Sequence, residues 1–375
     1  MVAASCGSSG NTGGAGSEAG SGPPQPVSAA TLNTALAQGV QQAGAPGAQG
    51  ALYACGHLAW SGVDGVTDRA TGNLVTPDTR YVLQSVTKMF TATMIMLLVQ
   101  AGKLSLDTPL AQFYPQVPDA STITVKMLLD HRSGLPEYLD DPVIQTDFND
   151  PEHVWSRDQV IASLHTAAFA PGIKYSYTNS NYVVLGGLLE MVSGASVESD
   201  FQTDIALPLA LADTSFVSPP SDSDVFAHPY SYDDGSTATD QWVPGYGISS
   251  GTVGPVWTDG GLISTATDIA HFGDALFDGR LVAPATLAQM TTIDGDGEGL
   301  GPESSTYDGR TWLGHSGDYG GFESELWHDA SRDITLTVTT NMDEPSSAGM
   351  TTSATIWDAV ASAIDGAEPA YEPCP

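Results

Sequence analysis

Ser85 and Lys88 have the residue types and the spacing that could do chemistry. Residues three apart share one face of a helix with Cβ atoms roughly 5 to 6 Å apart, so Lys88 would hold its amine over the Ser85 hydroxyl. Burial strips an ammonium of water and lowers its pKa, and a neutral lysine can take a proton from an alcohol. Ser85 is therefore a candidate nucleophile and Lys88 its candidate base. An isolated S-x-x-K is more often an N-cap beside a snorkelling lysine. Here the lysine stands at the start of the apolar run Met89-Phe90-Thr91-Ala92-Thr93-Met94-Ile95-Met96-Leu97-Leu98. With Ser85 as cap and Ala101-Gly102-Lys103 as stop, the pattern predicts a buried helix over 85–102 that Ser85 opens.

The elements that must position this pair follow from periodicity. Leu32, Leu36 and Val40 fall four apart and predict an amphipathic helix over 28–43. Residues 51–55 and 57–60 read as short strands about Gly56. Helices are expected near 110, over 123–129, over 155–168 and, buried, over 182–192. Loops are expected over 140–150, 171–181 and 218–254. Near the end the period changes to two, so 322–328 and 334–339 form a hairpin, and 352–364 closes the chain as a helix. The predicted fold is α/β (α+β): an antiparallel β-sheet flanked by helices and built from both chain ends, with a mostly helical insertion. The expected divisions are a linker over 1–27, an α/β part over 28–92 and 255–365, the insertion over 93–254, and a tail over 366–375.

The chain has 375 residues with 44 acidic and 11 basic side chains, a net charge of -33. Nucleic acid and anionic membrane surfaces would be repelled, so neither is an expected partner. No apolar run reaches the roughly 20 residues that span a bilayer. The Gly/Ser/Pro-rich stretch 7–26 cannot bury a core and reads as a tether. Ala3-Ala4-Ser5-Cys6 resembles the end of a bacterial lipoprotein signal, which predicts export and a lipid anchor at Cys6.

Three more stretches accompany the Ser85 segment: Tyr175-Ser176-Tyr177-Thr178-Asn179, Gly260-Gly261-Leu262-Ile263-Ser264, and Leu313-Gly314-His315-Ser316-Gly317-Asp318. In this order and spacing, together with Asp130-His131-Arg132-Ser133-Gly134-Leu135, they resemble the penicillin-recognising serine hydrolases of the class C β-lactamase type. That group holds D-alanyl-D-alanine carboxypeptidases, D-aminopeptidases and esterases. The resemblance implies an acyl-enzyme on Ser85, deprotonated with help from Lys88, and proton transfer by Tyr177. It implies that Asn179 holds the substrate amide or the Lys88 amine. His315 is left between orienting the site and moving protons. Ser316, Gly317 and Asp318 would line the substrate, and the backbone N–H groups of Ser85 and Asp318 would form the oxyanion hole. A cationic Lys88 would lower the Tyr177 pKa.

The implied substrate is a small ester, D-peptide or β-lactam, and the implied assembly is a monomer. The alternatives are a D-alanyl-D-alanine carboxypeptidase and a penicillin-binding sensor that acylates without turnover. Asp318 departs from the hydroxyls that relatives place there, so a substrate with an anionic end is expected to be disfavoured. In such an architecture the first strands and last helix share a layer, so Cys55 and Cys374 could form a bridge.

Two rival motifs are weaker. Gly247-Ile248-Ser249-Ser250-Gly251 matches a nucleophile elbow but lacks the strand and helix that such an elbow needs. Asp294-Gly295-Asp296-Gly297-Glu298-Gly299 begins like a calcium loop, yet its twelfth position is Ser305, so a solvated turn is expected. His57, His153, His165, His228 and His271 lack ligand spacing. No metal or cofactor is implied.

Overall fold

Ile334, Leu336 and Val338 alternate with Thr335, Thr337 and Thr339, and that period of two sets the sidedness of the central sheet. The computed structural model describes residues 27–147, 155–216, 226–232, 237–243, 247–248, 257–343 and 349–365. Cys6 and the segment 1–26, Ser249, and the tail with Cys374 lie outside the described residues. Six strands form the sheet: β1 (Gly47–Ala54), β2 (His57–Gly65), β3 (Glu303–Tyr307), β4 (Arg310–Tyr319), β5 (Phe322–Asp329) and β6 (Ile334–Thr340). Their order is β3-β4-β5-β6-β1-β2, antiparallel throughout, so the two ends of the chain meet where Ala51 pairs with Thr337.

Five helices matter for the site: α1 (Ala29–Ala43), α2 (Thr87–Gln100), α3 (Ser180–Ser193), α4 (Ala266–Phe277) and α5 (Thr352–Asp365). Helices α1 and α5 cover one sheet face, with Leu32, Leu36, Ile356 and Val360 packed against Leu52, Leu336 and Val338. Each such side chain taken from water contributes about 1.5 to 3 kcal/mol. On the other face, Thr337 Oγ1 donates to the Ala266 carbonyl at 2.9 Å and fixes the start of α4. Phe90 of α2 stacks on Phe272 of α4 with centroids 3.6 Å apart, which carries the core from the sheet into the helical region. Helix α2 is buried from Thr87 to Met96, as expected of a helix that is apolar all round. The fold is thus α/β, an antiparallel sheet between two helical layers.

Several boundaries differ from expectation. The helix over 85–102 is a 3-10 turn, Gln84–Val86, followed by α2. The division expected between residues 92 and 93 falls inside that one continuous helix. The helix over 155–168 stops at Ser163, and the Ala168 N–H bonds the Gly134 carbonyl at 2.9 Å, which draws the chain onto a distant turn. Within 140–150 there is a short helix, Pro142–Asp147, opened by Asp141 Oδ1 accepting from the Val143 N–H at 2.9 Å. The stretch expected as long loops contains two-residue strands, among them Tyr230–Ser231 and Gly247–Ile248. Cys55 takes part in a disulfide whose partner lies outside the described residues. No helix among the described residues is long and apolar enough to cross a membrane.

Candidate active site

Ser85 is placed by a strained turn. Gln84 has φ 50, in the left-handed region that a non-glycine residue enters at a cost of order 1 to 3 kcal/mol. Its buried side chain is pinned by Nε2 donating to the Tyr319 carbonyl at 2.9 Å. Ser85 is not the N-cap that the sequence suggested: Val86 holds that position, without a side-chain cap bond. Instead Ser85 Oγ accepts from Lys88 Nζ at 2.8 Å and from Tyr177 OH at 2.9 Å.

Lys88 is wholly buried and has two further partners, Asn179 Oδ1 at 2.8 Å and the Asp259 carbonyl at 2.7 Å. Burial lowers its pKa to about 8, against the raising charges of Asp259, Glu137, Glu303 and Glu298. At pH 7 about a tenth of the molecules would hold a neutral amine. Asn179 Oδ1 and the Asp259 carbonyl can only accept, so they occupy the two N–H bonds of a neutral amine. The lone pair is then left for the Ser85 proton.

Tyr177 differs from its expected electrostatics. Burial pushes its phenol well above 10, outweighing the Ser85 hydrogen bond, so it stays protonated and donates to Ser85. Its ring stacks on His131 with centroids 4.3 Å apart. His131 Nδ1 accepts from the Thr178 N–H at 3.2 Å, and burial holds the imidazole neutral. Asn179 occupies the N-cap position of α3, but its side chain makes no cap bond. Its Nδ2 donates to Glu137 Oε2 at 3.2 Å, which directs its oxygen to Lys88.

The third stretch lies on β4, where the pleat divides it. Gly317 packs on the Ser85 turn: a Cβ there would lie 2.3 Å from the Leu83 oxygen and 2.9 Å from the Ser85 nitrogen. His315 faces the same way, its ring 6.2 Å from that of Tyr177. It bonds the Ser316 carbonyl through Nδ1, and Nε2 lies 3.4 Å from Glu303 Oε1. Burial lowers its pKa. It is placed beside Tyr177. The side chains of Ser316 and Asp318 turn to the opposite face, where Ser316 meets Trp327 and Trp357 across a cavity. Asp318 is exposed and its charge acts on Glu325. The period of the strand thus turns these two side chains away from the face that carries Ser85, in contrast to the expectation that they line the substrate.

Sequence reasoning missed Asp259, Glu137 and Tyr138. Asp259 is held by Tyr138 OH donating to Oδ2 and the Trp257 N–H donating to Oδ1, both at 2.9 Å, and this aims its carbonyl at Lys88. Glu137 accepts from the Asn179 N–H at 2.8 Å. The adjacent Pro136-Glu137-Tyr138, just after the turn at Ser133-Gly134, was the available signal. The turn at Asp294 is docked rather than merely solvated: Arg132 ion-pairs with Asp294 and Asp296. His228 also has company, since its Nδ1 lies 2.9 Å from Asp240 Oδ2 and Asp68 is nearby, but the Asp68 oxygens already accept from Ala70, Thr71 and Tyr230.

A sequence profile of the family described as Beta-lactamase matches residues 32–361. The chain belongs to that beta-lactamase family. Among curated relatives, Esterase EstB of Burkholderia gladioli is 30% identical over 221 residues, 54% of each chain. D-aminopeptidase of Brucella ovis is 27% identical over 312 residues, 80% of this chain and 57% of that one. The beta-lactamase-family chain therefore spans about half the length of the curated relatives it matches. Among solved structures, D-amino acid amidase from Ochrobactrum anthropi SV3, complexed with L-phenylalanine amide, superposes with a TM-score of 0.78 at 25% identity. That match covers 90% of this chain and 98% of the amidase.

Proposed function

We propose that the protein is a monomeric serine hydrolase that cleaves esters or amides of small molecules through an acyl-enzyme on Ser85. The observation that carries this reading is Ser85 Oγ at 2.8 Å from Lys88 Nζ and 2.9 Å from Tyr177 OH. Neutral Lys88 takes the Ser85 proton as Oγ bonds to the carbonyl carbon, and the carbonyl electrons move to oxygen. The N–H groups of Ser85 and Asp318 meet that oxyanion, each contributing about 3 kcal/mol if well aimed. The alcohol or amine leaves with a proton from Tyr177, and the proton on Lys88 makes good the loss. Water then repeats the sequence on the acyl group.

Esters, and D-amino acid amides or D-peptides without a carboxylate beside the cleaved bond, are the substrates that the surroundings favour. Among the described residues near Ser85, one cation, Lys88, faces the acids Glu137, Asp259 and Glu303. The esterase, D-aminopeptidase and D-amino acid amidase among the relatives support the same range.

The test is fluorophosphonate labelling combined with a panel of p-nitrophenyl acetate, D-phenylalanine amide, a D-Ala-D-Ala peptide and a chromogenic cephalosporin. Labelling and turnover of the first two are expected, and Ser85→Ala should abolish both while keeping the far-UV circular dichroism of the parent. Labelling of the Ser85→Ala variant would overturn the assignment of the nucleophile. Labelling without turnover of any ester or amide would leave a sensor.

A further inference from the structure

On the face of β4 turned away from Ser85, the β3–β4 hairpin and helix α5 leave a cavity of about 380 Å³. Trp312, Trp327, Trp357 and Tyr307 line it, together with Ser316 and Glu325. Trp312 and Tyr307 stand edge-on to Trp357, with centroids 5.0 and 5.1 Å away, so the rings are angled to one another rather than stacked in parallel. The Trp312 Nε1–H is buried without a partner. One ring in this wall already meets a cation, since the Arg332 guanidinium lies 5.3 Å from the Trp312 centroid.

Glu325 is 4% exposed. Its carboxylate accepts from Trp327 Nε1 at 2.5 Å and from Ser353 Oγ at 3.0 Å, both neutral donors. Among the described residues it forms no ion pair. Asp358 also borders the cavity, and Asp318 adds charge of the same sign. Burial accordingly pushes the Glu325 carboxyl up to about 7. A buried acid among aromatic rings lacks a cation, and a cation bound there would gain both the carboxylate and the ring faces.

We propose that this cavity is a second ligand site, separate from Ser85, that takes an organic ammonium with an aromatic or branched alkyl body, held by the indole rings and by Glu325 and Asp358. An anion would meet like charge, and a neutral body would leave the carboxylates uncompensated.

The test uses the full chain and benzyltrimethylammonium, followed by tryptophan fluorescence, since three of the seven tryptophans line the cavity. Saturable quenching is expected below about 10 mM, with no saturation by benzenesulfonate. Glu325→Gln should weaken binding by about tenfold, and Ala354→Phe, which fills the cavity, should abolish it. Ester hydrolysis should stay within about twofold of the parent in both variants. Far-UV circular dichroism checks that each has folded. Absence of saturation in the parent, equal binding of benzenesulfonate, or binding unchanged in either folded variant would overturn the proposal. The last of these would place the ammonium elsewhere, for instance against the acids around Ser85.

Discussion

The two faces of β4 are built for different ends. His315, Gly317 and Tyr319 look toward the Ser85 turn, and Tyr319 lends its carbonyl to Gln84. Trp312, Ser316 and Asp318 look toward the terminal helices and an aromatic cavity. A motif that is contiguous in sequence is thus split by the pleat, and only alternate side chains can reach the catalytic group. The backbone is shared by both faces, so a role proposed for the Asp318 N–H does not depend on where its carboxylate points.

The largest expected effect lies on the near face. Gly317→Val would push a Cβ to within 2.3 Å of the Leu83 oxygen and displace the turn that aims Ser85. A shift of about 1 Å there should cost kcat/KM for a p-nitrophenyl ester about a hundredfold or more. Activity within about fivefold of the parent would show that the turn can move without losing its aim.

A smaller effect reads the electrostatics of the same face. With Lys88 at about 8 and Tyr177 well above 10, kcat/KM should rise about tenfold per pH unit below that value and level off above it. Glu137→Gln removes a charge that raises the Lys88 pKa, so the midpoint should move to lower pH. A midpoint that stays in place would mean that Glu137 acts through its Asn179 contact alone. A rise that continues past pH 10 would transfer the role of base to Tyr177.

The fold was legible wherever one face of an element had to be buried. The hairpin at Phe322 and Ile334 and the closing helix at Ile356 and Val360 carry their period in the chain. Ser85, Lys88, Tyr177 and Asn179 were legible as types at spacings, and the structure links them in one chain of hydrogen bonds, from Asn179 to Lys88, Lys88 to Ser85 and Ser85 to Tyr177. What the sequence could not show depends on tertiary contact. Past the helix end at Ser163 the Ala168 N–H is taken up by the distant Gly134 carbonyl, and Asp259 enters the site through a backbone carbonyl, which leaves no residue-type signature. Asp318 was misplaced for another reason: the motif was read as a contiguous run, without the alternation that its strand imposes.

Stability against pH should separate the faces less sharply. Burial raises Glu298, on the Ser85 side, to about 9 and Glu325, on the cavity side, to about 7. A carboxyl raised above its unfolded value of about 4.3 binds its proton more tightly when folded, so the stability it contributes is full below about 4.3 and is lost as pH rises to the folded value. Lys88 runs the other way above about 8, and the buried His131, His315 and His328, whose pKa values burial lowers, run the other way as pH rises to about 6.5. The carboxyls are therefore read as differences from the parent: Glu325→Gln should gain Tm relative to the parent as pH rises from 5 to about 7, and Glu298→Gln should go on gaining up to about 9. A difference between variant and parent that does not change with pH would contradict these shifts.

The smallest expected effect is on the far face, and it bears most directly on charge preference. Were the Asp318 carboxylate about 5 Å from an anionic substrate at an effective dielectric of about 20, repulsion of roughly 3 kcal/mol would exclude the substrate about a hundredfold. Its side chain instead leaves β4 on the Ser316 side and is exposed. Across a sheet, at about 10 Å and with water between, the same charges repel by about 0.4 kcal/mol, close to a factor of two, and salt screens part of that. Asp318→Thr and Ser316→Ala should each leave kcat/KM for a neutral ester within about twofold of the parent, and Asp318→Thr should leave the ratio of ester to carboxylate-bearing lactam nearly unchanged. A tenfold or larger selective gain for the lactam would mean that β4 twists at its end to present Asp318 to the substrate. The preference against anions would then come from the strand rather than from Glu137, Asp259 and Glu303 around Lys88.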